Sequence, residues 1–315
     1  MLTPEQQALR KQGVGASEVG AILGLDPHRT ALDVWLEKRG MAPERPQSEA
    51  ATMGHLLEPV VAQRYLLERP SVTLTEGQTV IGEEPYFLAT PDRIAEEMGH
   101  KWLLEIKTRS VYSMDRWGEA GTDQIPPEVL CQVLWQQVVT GMHEMAEVAV
   151  LIGGNTFRLY QVGYDAEVAA SMQEQVRDFW LKNVQKGIEP ALKGPSAVPY
   201  LRKKWQNVEP EMLEANAEVE ETLKRLALAT QMASTAEKMK EEAQVALMAQ
   251  IGDKSGTIGE TGRVSWRHQK GRTTVDWQGI AKSLGAELPS NADLVSRHTK
   301  VGDPIRVFRF TPSGA

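Results

Sequence analysis

The chain of 315 residues contains one cysteine, Cys131. An internal disulfide needs two cysteines and a four-cysteine iron-sulfur cluster needs four, so every scheme built on cysteine ligation is excluded. Any metal has to be held by oxygen or histidine. Histidine is scarce as well: His28, His55, His100, His143, His268 and His298 are scattered and form no HxxxH-type pair, which argues against a histidine-based zinc centre. No stretch approaches the roughly 18 apolar residues that a membrane span requires, and none is expected. Met1 to Lys11 lacks an apolar h-region, so a cytosolic protein is expected. There is no G-x-x-x-x-G-K segment to suggest an ATP-driven motor, and no internal repeat.

What is present is the composition of a soluble globular protein, 41% apolar and 24% charged. The 35 basic and 42 acidic residues sum to −7, a balance that by itself suggests no polyanionic partner. The charge is segregated, however. Glu209 to Glu242 is strongly acidic, whereas Lys254 to Ala315 holds ten Lys or Arg against five Asp or Glu. The C-terminal segment is therefore the electrostatic candidate for contact with a polyanion.

The first 190 residues read as mixed α/β. Apolar spacing predicts helices at Ser17–Leu23, Thr30–Lys38, Leu56–Glu68, Pro127–Thr140 and Ala166–Asn183. Strands are predicted at Val72–Ile81, Pro85–Ile94, Lys101–Lys107, Glu147–Ile152 and Thr156–Val162, the last two joined by the turn Gly153-Gly154-Asn155. A shift to Gly, Pro and Lys over Gly187–Pro199 marks a boundary. Beyond it, Glu211–Ile251 is nearly free of Gly and predicts one long helix or a helical hairpin, with a seam too rich in alanine for an isolated coiled coil. After Gly252 short strands return: Arg263–His268 and Thr273–Trp277 joined at Lys270-Gly271, then Ile305–Phe310. Three regions follow: 1–190, a linker and helix over 191–251, and a small basic α+β extension over 252–315.

The most informative stretch is Ala89-Thr90-Pro91-Asp92 followed by Leu104-Glu105-Ile106-Lys107. Alternation along a strand sends Glu105 and Lys107 to one face, Leu104 and Ile106 to the other. A hairpin through Glu96 to His100 brings Asp92 beside Glu105, so two carboxylates and a lysine converge. That set suits a hard cation such as Mg²⁺, with the lysine placed to act on a water. It is the PD-(D/E)xK pattern, and it is also the pattern of a salt-bridged surface hairpin. Other segments add candidates. Arg10 leads into Gly13-Val14-Gly15-Ala16-Ser17-Glu18-Val19, a glycine-rich approach to a helix start that fits a phosphate site or an ordinary N-cap serine. Glu58 is a lone acid on an apolar helical surface and needs a partner, a metal being one choice. Gln132 and Gln136 lie one turn apart, reaching for a water or phosphate or simply facing solvent. Cys131 lies among Val129, Leu130, Val133 and Leu134 and reads as core.

In this order the segments resemble the YqaJ-like viral recombinase family, relatives of phage lambda exonuclease within the PD-(D/E)xK nuclease superfamily. The resemblance runs from Ala8 to about Pro190. It rests on G-x-G-A-S-E-V, Trp35-Leu36-Glu37-Lys38, Gly54 to Pro59, Ala89 to Asp92, Leu104 to Thr108, Ile125-Pro126-Pro127 and Cys131-Gln132-Val133. It implies a restriction-endonuclease-like core, a mixed central sheet flanked by helices. The implied activity is Mg²⁺-dependent 5′ to 3′ digestion of one strand of linear double-stranded DNA, with Mn²⁺ as a substitute. The product would be 3′ tails for a phage-type single-strand annealing protein. By motif, Asp92, Glu105, Glu58 and the Ile106 carbonyl would be metal ligands, Lys107 would act on the attacking water, and Gln132 would be the active-site glutamine. Arg10 and Ser17 would contact the 5′ phosphate. A homo-oligomeric ring, a trimer, and a phage or prophage origin in bacterial cytoplasm belong to the same expectation. One departure stands out: many relatives carry a small residue after the first acid, and this chain has Arg93.

Past Pro190 the residues speak alone, and Arg263, Arg267, Lys270 and Arg272 are candidate DNA contacts. Two rival readings stay open. One is a catalytically idle DNA-binding or scaffold protein on the nuclease fold, and the other an endonuclease of the same superfamily.

Overall fold

The computed structural model describes residues 9–42, 48–207 and 211–267. The chain divides into two compact units, Met1–Lys203 and Lys204–Ala315.

The first unit opens with a short strand β1 (Val14–Gly15) that runs straight into helix α1 (Ala16–Ile22), followed by α2 (Ala31–Lys38) and α3 (Glu49–Glu68). Helix α3 begins seven residues before the predicted Leu56, because Ser48 caps it: the Ser48 hydroxyl accepts from the Ala51 N–H at 3.2 Å. Next come β2 (Thr73–Glu76), β3 (Val80–Ile81), β4 (Phe87–Ala89), β5 (Arg93–Glu97) and β6 (His100–Arg109). A 3₁₀ turn (Val111–Arg116) leads to α4 (Pro127–Thr140), then β7 (Ala146–Ile152), β8 (Thr156–Val162) and α5 (Ala166–Asp178). A π-helical turn (Phe179–Gln185) continues α5, and α6 (Ala197–Lys204) follows.

The two long strands expected at Val72–Ile81 and Pro85–Ile94 are each broken in two. Gly77 divides the first, where a Cβ would lie 1.9 Å from the Pro91 carbonyl oxygen, so only glycine fits that close approach. Pro91 divides the second, since it has no N–H for a ladder. The halves join different sheets. A small sheet has the order β1-β4-β3, and the main sheet has the order β2-β5-β6-β7-β8. Only β6 and β7 pair in parallel in the main sheet, and a parallel pair needs a crossover, supplied here by α4. Helix α4 has the bounds its sequence predicts, with Pro127 in its first turn and Gly141 closing it at φ 71°. The mixed sheet flanked by helices is thus the architecture that the resemblance implies.

Strand β6 sorts its side chains by alternation. Leu103 packs into one cluster with Val129, Val133 and Val148 under α4. Trp102, Leu104 and Ile106 pack into another with Val61, Ala62 and Tyr65 of α3. Each sheet face is therefore sealed by its own helix, and Glu105 lies on the α4 side.

In the second unit Ala217–Ile251 forms one uninterrupted helix, α7, and not a hairpin. Behind it β9 (Gly256–Gly259) pairs antiparallel with β10 (Gly262–Ser265). The hairpin therefore forms from Gly256 onward, and the predicted partner Thr273–Trp277 lies outside the described residues, as does Ile305–Phe310.

Candidate active site

The site grows from the point where β5 stops and β6 continues. The last β5–β6 pair is Arg93 with Leu104, so beyond it that edge of β6 has no strand beside it among the described residues. Asp92, at the head of β5, fills that place: its Oδ2 accepts the Ile106 N–H at 2.7 Å. Because N–H and C=O of one strand residue share an edge, the Ile106 carbonyl lies on the Asp92 side as well.

Glu105 is 1% exposed, and three side chains donate to it. Its Oε1 accepts from Lys107 Nζ and, at 2.6 Å, from Gln132 Nε2. Its Oε2 accepts from Gln136 Nε2 at 2.7 Å. Lys107 Nζ also donates to Gln132 Oε1 at 2.9 Å, which closes a ring of three side chains. Gln136 is fully buried, so the solvent-facing option for that residue fails. Its role was hidden because an amide on a helix reads as surface until the acid it meets is known.

Two acids at this depth repel each other. Burial first, and then the charge of Glu105, push the Asp92 carboxyl up to about 8. Among the described residues no three His, Cys, Asp or Glu side chains form a metal-holding group. Mg²⁺ does not demand one: it keeps several waters and is commonly held by one or two carboxylates. Asp92, Glu105 and the Ile106 carbonyl offer an all-oxygen donor set, which fits Mg²⁺ or Mn²⁺.

The structure brings the other predicted residues of this unit into the same cleft, of about 810 Å³, which Arg10, Ser17, Glu58 and Gln132 also line. Arg10 Nη2 donates to the Ser17 hydroxyl at 2.9 Å. A buried ion pair that the sequence did not suggest holds this corner. Glu18 accepts from the Gly15 N–H at 2.8 Å and from Lys38 Nζ at 2.7 Å, and Lys38 Nζ reaches the Arg10 carbonyl at 2.6 Å. Glu58 has found an ionic partner in Arg93, whose Nη1 lies 2.7 Å from its Oε1. Leu56 and Val60 beside it on α3 are exposed, so the apolar surface expected around Glu58 is open. Cys131, one residue before Gln132, points into the core as predicted and is 6% exposed.

Residues 5–143 match the YqaJ-like viral recombinase domain. Protein YqaJ of Bacillus subtilis (strain 168) is 35% identical over 205 residues, covering 64% of this chain and 62% of that protein, so the chain spans less than two thirds of this relative's length. Among solved structures, an alkaline exonuclease from Laribacter hongkongensis is 18% identical with a TM-score of 0.46, over 64% of this chain and 97% of that one. A phage-related exonuclease from Haemophilus somnus 129PT is 10% identical with a TM-score of 0.44, over 58% and 99%. At such distance the chemistry has to be read from the residues themselves.

The four C-terminal candidates belong to the second unit. Arg263 lies on β10 and is exposed, as is Arg267 after it, whereas Lys270 and Arg272 lie outside the described residues. Val264 and Trp266 beside them are exposed as well. No helix among the described residues is long and apolar enough to cross a membrane.

Proposed function

We propose that this chain is a Mg²⁺-dependent exonuclease that removes one strand of linear double-stranded DNA from its 5′ end and leaves 3′ tails for a phage-type annealing protein. The observation that carries the reading is the convergence of Asp92, Glu105 and Lys107 beside the open edge at Ile106, in a cleft shared with Arg10 and Ser17. The recombinase description of the family is consistent with it. Mn²⁺ would substitute for Mg²⁺, since both favour oxygen donors.

Asp92, Glu105 and the Ile106 carbonyl would hold the cation, which when bound lowers the pKa of water and offsets phosphoryl charge. Gln132 and Gln136 keep the Glu105 carboxylate in one orientation with both oxygens engaged. Lys107 Nζ, tethered by Glu105 and Gln132, orients the attacking water and donates to a phosphate oxygen as negative charge builds there. Arg10 and Ser17 present a guanidinium and a hydroxyl side by side, a pair suited to a terminal phosphate, and this is what favours 5′ polarity. The ring-shaped oligomer suggested by the family resemblance would add processivity by encircling the duplex. The rival reading of an idle scaffold has less support, since two acids set against each other and open to a cleft carry a repulsion that a purely structural role does not need.

A time course on a linear duplex labelled at either end, compared with a closed circle, tests the proposal. Early loss of the 5′ label and an intact circle are expected. Cleavage of the circle would point to an endonuclease, and no digestion of any substrate in Mg²⁺ or Mn²⁺ would point to the scaffold.

A further inference from the structure

Four carboxylates line the cleft, Glu58, Glu76, Asp92 and Glu105, and one of them, Glu58, is held by a guanidinium. Glu58 projects from α3, and Arg93 meets it because the β5–β6 register sets Arg93 beside Leu104, on the face that α3 covers. The pair is 2.7 Å apart, with side chains 14% and 26% exposed, so it is more withdrawn from water than an ordinary surface ion pair. The guanidinium is also tied to the backbone, since the same Nη1 donates to the Asp92 carbonyl at 2.5 Å. It is therefore a fixed positive charge adjoining Asp92, already coordinated by the carboxylate that a second metal ion would use.

We infer that the Arg93 guanidinium takes the place of a second metal ion, so that the cleft binds one divalent cation, between Asp92 and Glu105, and Glu58 serves Arg93. The inference rests on the metal-site reading above and sharpens it. A divalent ion on Glu58 would have to displace the guanidinium or sit against it, and like charges at that separation repel strongly. Arg93 is in this account a positioning residue: it neutralises Glu58 and lends the neighbourhood of Asp92 a charge that needs no free metal. Lysine in its place would keep the charge but lose the planar fork that spans a carboxylate and a carbonyl together.

Mn²⁺ titration of the full chain, with bound ion counted by electron paramagnetic resonance, tests this without any turnover. The wild type should bind one Mn²⁺ per chain, Arg93→Ala two, and the double variant Arg93→Ala with Glu58→Gln one again. Two Mn²⁺ per wild-type chain would overturn the inference whether or not Arg93→Ala folds, and so would a folded Arg93→Ala that still binds one. A wild type that binds none would bring down the metal-site reading itself, a different failure from a wrong count.

Discussion

Two carboxylates in the main sheet, Glu105 on β6 and Glu147 on β7, are equally buried at 1% exposure, and they lie on opposite faces. Glu147 sits under α3 and lines a smaller pocket of about 370 Å³ with Arg69 and Trp102. It accepts from the Tyr65 hydroxyl, from Trp102 Nε1 at 3.0 Å and from Arg69 Nη2 at 2.6 Å. Glu97 and Glu144 line the same pocket, but among the described residues no second acid joins these hydrogen bonds, and the Glu147 carboxylate has a guanidinium of its own. Glu105 has a comparable number of donors, but Asp92 is close enough to be shifted by its charge, and the pair opens into a cleft. Burial of a charge therefore does not mark function by itself. A buried acid with matched donors holds a fold together, here α3 against the sheet, whereas two acids sharing one site leave charge for a ligand to neutralise.

The widest separation between the two should come from replacing each in turn. Glu105→Gln should lower hydrolysis of linear duplex by ~10³-fold while the metal-free protein melts no lower than wild type, because a repulsion is removed along with an ion pair. Glu147→Ala should do the reverse, costing about 3 kcal/mol in chemical denaturation and leaving the rate of the folded fraction nearly unchanged. If both variants lost stability and activity alike, the distinction between the two acids would fail.

A smaller effect is expected at the phosphate corner. Wild-type protein should digest a 5′-phosphorylated duplex faster than a 5′-hydroxyl one, and Arg10→Ala should shrink that preference by about 1.5–3 kcal/mol, the worth of a charge-assisted hydrogen bond. Equal wild-type rates on both substrates would remove the phosphate role from Arg10 and Ser17 without touching the acids.

Smaller again is a pH dependence that only the Glu105 side should show. With Asp92 raised to about 8, the folded metal-free protein keeps a proton that the unfolded chain has already lost above its ordinary value of 3.8. Stability contributed by this group is thus present at low pH and lost as the pH climbs toward 8. Thermal melts in chelator between pH 5 and pH 8 should show this decline, and Asp92→Asn should flatten it. An identical slope in the variant would assign the titration to other groups. Smallest is the neighbour of Gln132 on α4: burial pushes the Cys131 thiol up to about 11, so folded protein at pH 8 should resist alkylation that the denatured chain accepts readily.

Much of this arrangement was legible in the residues, for definite reasons. Alternation along Leu104-Glu105-Ile106-Lys107 and the turn at Gly99 suffice to bring Asp92, Glu105 and Lys107 together, and Pro127 and Gly141 mark the ends of α4. What stayed hidden depends on partners distant in sequence. Gln136 stayed open between a water or phosphate contact and solvent because nothing local tells which acid it meets across 31 positions. The Glu147 cluster draws on Tyr65, Arg69 and Trp102, which share no motif. The pairing of Arg93 with Glu58 follows from the β5–β6 register, and that register depends on the break at Pro91, which a reading of one continuous strand through Ile94 missed.

The central claim is that the acids on the α4 side of the sheet serve hydrolysis through Lys107, and one measurement addresses it most directly. Lys107→Ala should fold as the wild type does by circular dichroism, since a partly exposed side chain at a cleft contributes little to the core. In Mg²⁺ it should digest linear duplex at least ~10²-fold more slowly, the scale of losing a positioned proton donor. A folded Lys107→Ala protein that digests the duplex at the wild-type rate would contradict the account.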